Sequence, residues 1–169
     1  MLTKNFYSLL KVFFNNEDKG NFTATDGNTR TAFVNNNRAP FYVMKDWSSG
    51  ITANGVSFGT GTTPATSSDY WLESALGSTQ ISVSTPSAVS FSQFDTYEEY
   101  SVTFGITNKT AEAITISEVG LTALTNMGTS EDYCYVLVDR TVLDTPVTIP
   151  AGQSKQITYT IRFNYGDAV

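Results

Sequence analysis

The sequence predicts an all-β protein, an antiparallel β-sandwich of Ig-like or jelly-roll-like type, preceded by a short N-terminal amphipathic helix. Three observations predict it. Residues that suit a pleated, half-buried surface are abundant, with 25 Thr, 9 Tyr and 11 Phe in 169 residues. From Ile51 onward short alternating runs are separated by turn signals roughly every ten residues, the rhythm of sandwiches and barrels. Beyond residue 20, only Tyr70–Leu76 offers a segment that reads as helical.

The elements follow in order. In MLTKNFYSLLKVFFNN, Phe6, Leu9, Leu10, Phe13 and Phe14 recur at three- and four-residue steps, which predicts a helix of three to four turns. It is too short to span a bilayer, which takes about 20 apolar residues. Nor is it a secretory signal, because Lys11 interrupts the apolar run and no small-x-small site follows. The helix either packs on its own domain or docks on a neighbouring subunit, and the sequence leaves both open. On the second reading Leu2, Phe6, Leu9, Leu10, Phe13 and Phe14 are its contacts. Residues 1–20 are thus one unit, helix and turn, and 21–169 a single β-domain. FTATDGNTRTAFV reads as a hairpin bent at Asp26-Gly27, and FYVMKDW (residues 41–47) as a further strand. ITANGVSFGTG ends at the Gly59/Gly61 pair, and STQISVS stops before Pro86. In YSVTFGIT, Tyr100, Val102, Phe104 and Ile106 face one way and the hydroxyl residues the other. AITISEVGLTAL changes phase at Ser117-Glu118, which predicts a β-bulge with one unpaired residue. YCYVLVDRTVL, PVTIPAG and QITYTIRF complete the set.

Composition narrows the chemistry. With no His there is no Ser-His-Asp triad, no Cys-His dyad and no His-ligated metal. A lone Cys134 forms no internal disulfide and reads as a small buried hydrophobe. A net charge of −6 argues against nucleic acid, whose phosphates call for Lys/Arg clusters. Gly59-Thr60-Gly61 lacks the third Gly of a dinucleotide loop, since Pro64 stands there, and no Lys follows to make a P-loop. Adjacent Glu98 and Glu99 on a strand point to opposite faces, the wrong arrangement for paired acid/base work. We therefore expect no catalytic residues, no cofactor and no metal. From Asp46 to Asn108 there are six acids and no Lys or Arg. Either this stretch steers a basic partner, or it lies beside the strands carrying Arg140, Lys155 and Arg162.

Trp47, Tyr70 and Trp71 flank the Gly-rich segment, and exposed rings of this kind stack on sugars or anchor protein contacts. Buried, they are core. Asn21-Phe22-Thr23 and Asn108-Lys109-Thr110 match the glycosylation sequon, which has meaning only in a secreted eukaryotic chain.

Two stretches resemble known text. SFGTGTTPATSSDYWLES is similar to a segment of small structural proteins of tailed bacteriophages. EVGLTAL and LVDRTVLDTPVTIPAGQSKQITYTIRF resemble the C-terminal half of the same proteins. The likeness runs from Ser57 to Phe163 with gaps. It implies a non-enzymatic β-sandwich component of the virion, in tail, neck or capsid surface, with no catalytic residues to carry over. The expected partners are other virion proteins and further copies of the chain, with no nucleic acid and no membrane. The alternative is a carbohydrate- or receptor-binding module at the particle surface, using Trp47, Tyr70 and Trp71 on a host-surface glycan.

Overall fold

The computed structural model describes residues 1–14, 19–33, 55–84, 90–126 and 133–164. Among these residues helix α1 (Lys4–Phe14) is followed by nine strands, β1 (Lys19–Thr23), β2 (Thr29–Phe33), β3 (Gly55–Gly59), β4 (Ile81–Val83), β5 (Ser90–Gln93), β6 (Tyr97–Asn108), β7 (Ile114–Asn126), β8 (Tyr133–Ile149) and β9 (Ser154–Asn164). The β1–β2 hairpin bends where expected, with Gly27 at a φ of 82° that a side chain would strain, and Asp26 Oδ1 accepting from the Asn28 amide at 3.0 Å.

All strand pairs among the described residues are antiparallel, in two sheets. In the first, β7 pairs with β8 along one edge and with β3 and β2 on the other, β1 lying beyond β2. In the second, β6 pairs with β9 on one side and with β4 and β5, end to end, on the other. The alternation in β6 does what its sequence asks: Val102, Phe104 and Ile106 are buried, while Ser101, Thr103 and Thr107 on the opposite face meet Thr160, Thr158 and Ser154 through hydroxyl pairs at 2.7–2.8 Å. Both sheets share one core. Phe58 of β3 meets Phe104 of β6 edge-on at 5.8 Å, and Val119, Leu121 and Val136 from the first sheet join Ile81, Ile157 and Tyr159 from the second.

Strand β7 is buried on both faces from Ile116 to Ala123. One face looks into the shared core. The other is roofed by residues 60–76, which return to β3 through Thr60 N–H to Ser74 O and Leu76 N–H to Phe58 O, both 2.9 Å. Beneath that roof Leu72 and Leu137 lie so close to Gly120 that a Cβ there would meet them at 2.8 and 3.0 Å.

Several expectations change. Tyr70–Leu76 is a run of turns and an isolated bridge, not a helix, because its amides serve Glu118 and β3 instead of each other. PVTIPAG is not a separate strand: Val147–Ile149 continue β8. The register of β7 does break at Ser117, but β8 carries the larger excess, with Leu143–Pro146 lying opposite that one residue. A second slip leaves Val138 unopposed between Leu121 and Thr122. The strand expected at 41–47 lies outside the described residues, whereas β5 was not foreseen.

Candidate functional site

The described residues concentrate charge at one place, beneath the roof of the first sheet. The bulge at Ser117 turns Glu118 toward residues 60–76, where its side chain is fully buried. Its carboxylate accepts from the amides of Gly61 (3.1 Å), Glu73 (3.0 Å) and Ser74 (2.7 Å) and from Arg140 Nε (2.8 Å). Arg140, on β8 opposite Gly120, donates further to Asp69 Oδ2 at 2.8 Å and to the Thr63 carbonyl at 3.1 Å. Burial works against the Arg140 charge, and its bonds to Asp69 and Glu118 more than offset this, raising its pKa. Asp69 shows the mirror case: burial alone would raise it, but the Thr66 amide and Arg140 hold it below the ordinary carboxylate value.

This centre explains the glycine pair. A Cβ on Gly59 or Gly61 would stand 2.5 or 2.6 Å from Glu118 Oε1. The Gly61 amide already points at a carboxylate, so this turn is no phosphate cradle. Chemically the cluster is closed, since donors and acceptors answer one another and the carboxylate has no open side. It fastens the roof to β7 and β8. It also decides part of the charge question, because Asp69 and Glu73 sit against Arg140, and Glu99 pairs with Arg162 at 2.8 Å.

A second buried carboxylate, Asp139, links the sheets. Tyr159 of β9 donates to it at 2.6 Å, Thr141 at 3.2 Å, and the Met1 amino group lies 2.9 Å away. The first residues run along the edge of β8, with Leu2 bridged to Asp139 and Thr3 N–H bonded to Val138 O at 3.0 Å. Buried Asn5 fastens α1 by bonding Thr23 and Leu137. Of the six expected assembly contacts, Leu9 lies in the chain's own core and Phe6 packs against it, while Leu2 and Leu10 are half-buried. The side chains of Phe13 and Phe14 lie outside what is described. The outward face of α1 carries Lys4, Tyr7 and Lys11, all exposed, Tyr7 to 57 %.

Of the expected recognition aromatics, Tyr70 and Trp71 are described. Trp47 lies outside the described residues. Tyr70 is exposed but rests against the β1–β2 turn, its ring 3.4 Å from where a Cβ on Gly27 would be, and Trp71 is half-buried. A different aromatic group stands out, in the β5–β6 hairpin. Its turn is Asp95-Thr96, closed by Phe94 N–H to Tyr97 O at 2.9 Å. Phe94 stacks on Tyr97 at 4.5 Å, and Phe91 meets Tyr100 at 5.1 Å on the other face. Phe163 reaches Tyr100 edge-on at 6.0 Å. Every residue from Ser90 to Thr96 is exposed, Phe91 to 54 % and Phe94 to 45 %. The signal was in the text: in FSQFDTYEEY aromatics recur every third residue about the Asp-Thr turn, which gives two cross-strand pairs on opposite faces.

The sequon at Asn108 is closed, since its amide nitrogen is buried and donates to Glu112 O at 2.7 Å and Ile149 O at 2.9 Å. Among the described residues no cluster of His, Cys, Asp and Glu is placed to hold a metal ion, and no helix is long and apolar enough to cross a membrane. No family model matches the chain, and neither a curated protein nor a solved structure does.

Proposed function

We propose that the chain is a non-enzymatic structural subunit of a tailed-bacteriophage virion, in tail, neck or capsid surface, acting by packing against copies of itself and other virion proteins. The assignment to a virion rests on the likeness of Ser57–Phe163 to phage structural proteins. In this reading the two sheets form an Ig-like or jelly-roll-like sandwich. The observation that carries the assembly reading is the exposed hairpin tip, aromatic on both faces and bearing Asp95 at its turn. Its complement lies on the same molecule: Lys4, Tyr7 and Lys11 on the outward face of α1, which packs on β1 and β8 of the other sheet. An acidic aromatic tip from one copy seats on the basic aromatic helix face of the next, a head-to-tail contact that closes into a ring or runs on as a filament.

The glycan-binding alternative has less support. A sugar needs an open ring face, but Tyr97 holds Phe94 on one side and Arg162 on the other, 4.1 Å from its centre. Phe91 and Phe94 project from opposite faces of the hairpin and so make no common platform.

Light scattering over a range of concentrations tests the reading. We expect oligomers larger than a dimer, lost in F91S/F94S and in K4E/K11E while both variants remain folded by circular dichroism. A parent that never exceeds a dimer overturns head-to-tail assembly. Binding of a soluble oligosaccharide abolished by F91S/F94S would replace it with glycan recognition.

A further inference from the structure

We infer that the edge of β9 turned away from β6, which no described strand meets, is a self-pairing surface, on which a second copy of this chain adds its own β9 antiparallel about a two-fold axis at Tyr159. The inference stands on the strand edge and does not need the head-to-tail contact.

The direction of the backbone settles which groups the edge presents. Asn108 of β6 points its backbone toward β9, donating to Gln153 O at 2.9 Å and accepting from Gly152 N–H at 3.1 Å. Its neighbours Gly105 and Lys109 point the other way, bonding Ser84 and Gln80 at 2.8 Å each. Backbone groups alternate sides along a strand, so Ile106, Phe104, Val102 and Tyr100 also bond toward β9. Their register partners are Lys155, Ile157, Tyr159 and Ile161, whose backbone groups are thereby used. Gln156, Thr158, Thr160 and Arg162 aim their N–H and C=O groups outward. Among the described residues no strand meets them. The edge is eleven residues long, without proline or a register break. Such an edge is a template for another strand unless something protects it.

The sequence of the strand names the occupant. Ile157-Thr158-Tyr159-Thr160-Ile161 reads the same in both directions. In a two-fold antiparallel pair centred on Tyr159, Ile157 lies opposite the Ile161 of the second copy and Thr158 opposite its Thr160. The outward backbone groups of Thr158 and Thr160 then face their counterparts as hydrogen-bonded pairs. Farther out, Arg162 comes opposite Gln156, and Lys155 opposite Phe163, so no like charges meet. No acid lies on β9. A copy with net charge −6 can approach here without setting carboxylate against carboxylate. The hydroxyl pairs linking β6 and β9 would continue across the axis as one face.

A charge-swap experiment tests the register. Thr158 and Thr160 are exposed and lose only their hydroxyl contacts to Thr103 and Ser101, so T158K/T160K and T158E/T160E should fold, with a slightly lowered melting temperature. Either variant alone sets two like-charged pairs against each other across the axis, and its dimer should dissociate already at roughly tenfold higher concentration than that of the parent, or not form. Mixed in equal amounts, the two should give a heterodimer, measured by native mass spectrometry. T158P, which removes an amide facing away from β6, should be monomeric at this contact and cannot be rescued by either partner. Homodimers that persist in the charged variants, or a mixture that stays monomeric, overturn the inference. So does a parent without dimers. The K4E/K11E variant separates the two proposals, since loss of the head-to-tail contact should leave β9 dimers behind.

Discussion

A guanidinium taken out of water must have its charge and its donors answered by the protein, and Arg140 meets that requirement through Glu118, Asp69 and the Thr63 carbonyl. Removing one partner leaves the other buried and uncompensated. R140A should therefore cost about 3–5 kcal/mol of unfolding free energy in a urea titration. E118Q should fall in the same range of about 3–5 kcal/mol, because an amide has one acceptor oxygen and turns an NH₂ group toward two of the four donors. If either variant unfolds at the parent's urea midpoint, the roof is held by its apolar contacts and the ion cluster is incidental. Tyr159 gives a second prediction, on the alkaline side. Burial first, and then the Asp139 carboxylate, push its pKa well above the ordinary phenol value of 10.0. The unfolded chain ionises this group before the folded one does, so its contribution is intact below pH 10 and is lost as pH rises from there toward the folded pKa. Absorbance titration should show one tyrosine that ionises only with unfolding, and Y159F should remove that late component. These centres were barely legible in the sequence. Gly59-Thr60-Gly61 marked the end of a strand, but the group that requires both glycines is Glu118, 57 residues beyond Gly61, and no local pattern connects them.

Elements were legible where one face is buried and one is not. α1, β6 and β9 follow from periodicity, since each sets an apolar stripe against the core and leaves a polar one outside, and the β1–β2 hairpin follows from its Asp26-Gly27 turn. Strand β7 was read for its apolar residues but not for its two-sided burial, because its second face is covered by Glu118, Gly120 and Thr122 meeting a roof with little regular structure. β5 escaped because all four of its residues are exposed and only pairing with β6 makes it a strand. The two elements we assign to assembly should therefore respond unequally to substitution. Leu9 is 5 % exposed and part of the core, so L9A should destabilise the fold by about 2–5 kcal/mol, seen as an earlier urea midpoint. F91S/F94S removes half-exposed rings and two cross-strand pairs, so it should move that midpoint far less, by about 2 kcal/mol at most. An unchanged midpoint in L9A would mean that α1 detaches without consequence for the sheets, and its apolar face would then be free for a neighbour.

At the scale of the whole molecule, the two proposed contacts differ in how they meet a chain of net charge −6. Copies of an acidic protein repel at long range, and salt relieves that repulsion for any contact. The β9 edge brings no opposite charges together, so added salt should only strengthen it. The head-to-tail contact sets Asp95 of the tip against Lys4 and Lys11, and screening weakens that short-range attraction while it relieves the general repulsion. Raising the salt from about 10 mM to about 1 M shortens the screening length from about 30 Å to about 3 Å, which spans the change from long-range to contact-range forces. Larger assemblies should thus give way to dimers as salt rises, with the dimer itself tightening, and light scattering at the two salt concentrations reads both changes. If the larger assemblies grow with salt instead, the aromatic tip is held by apolar burial alone. K4E/K11E would then retain them, and the basic face of α1 would lose its assigned role.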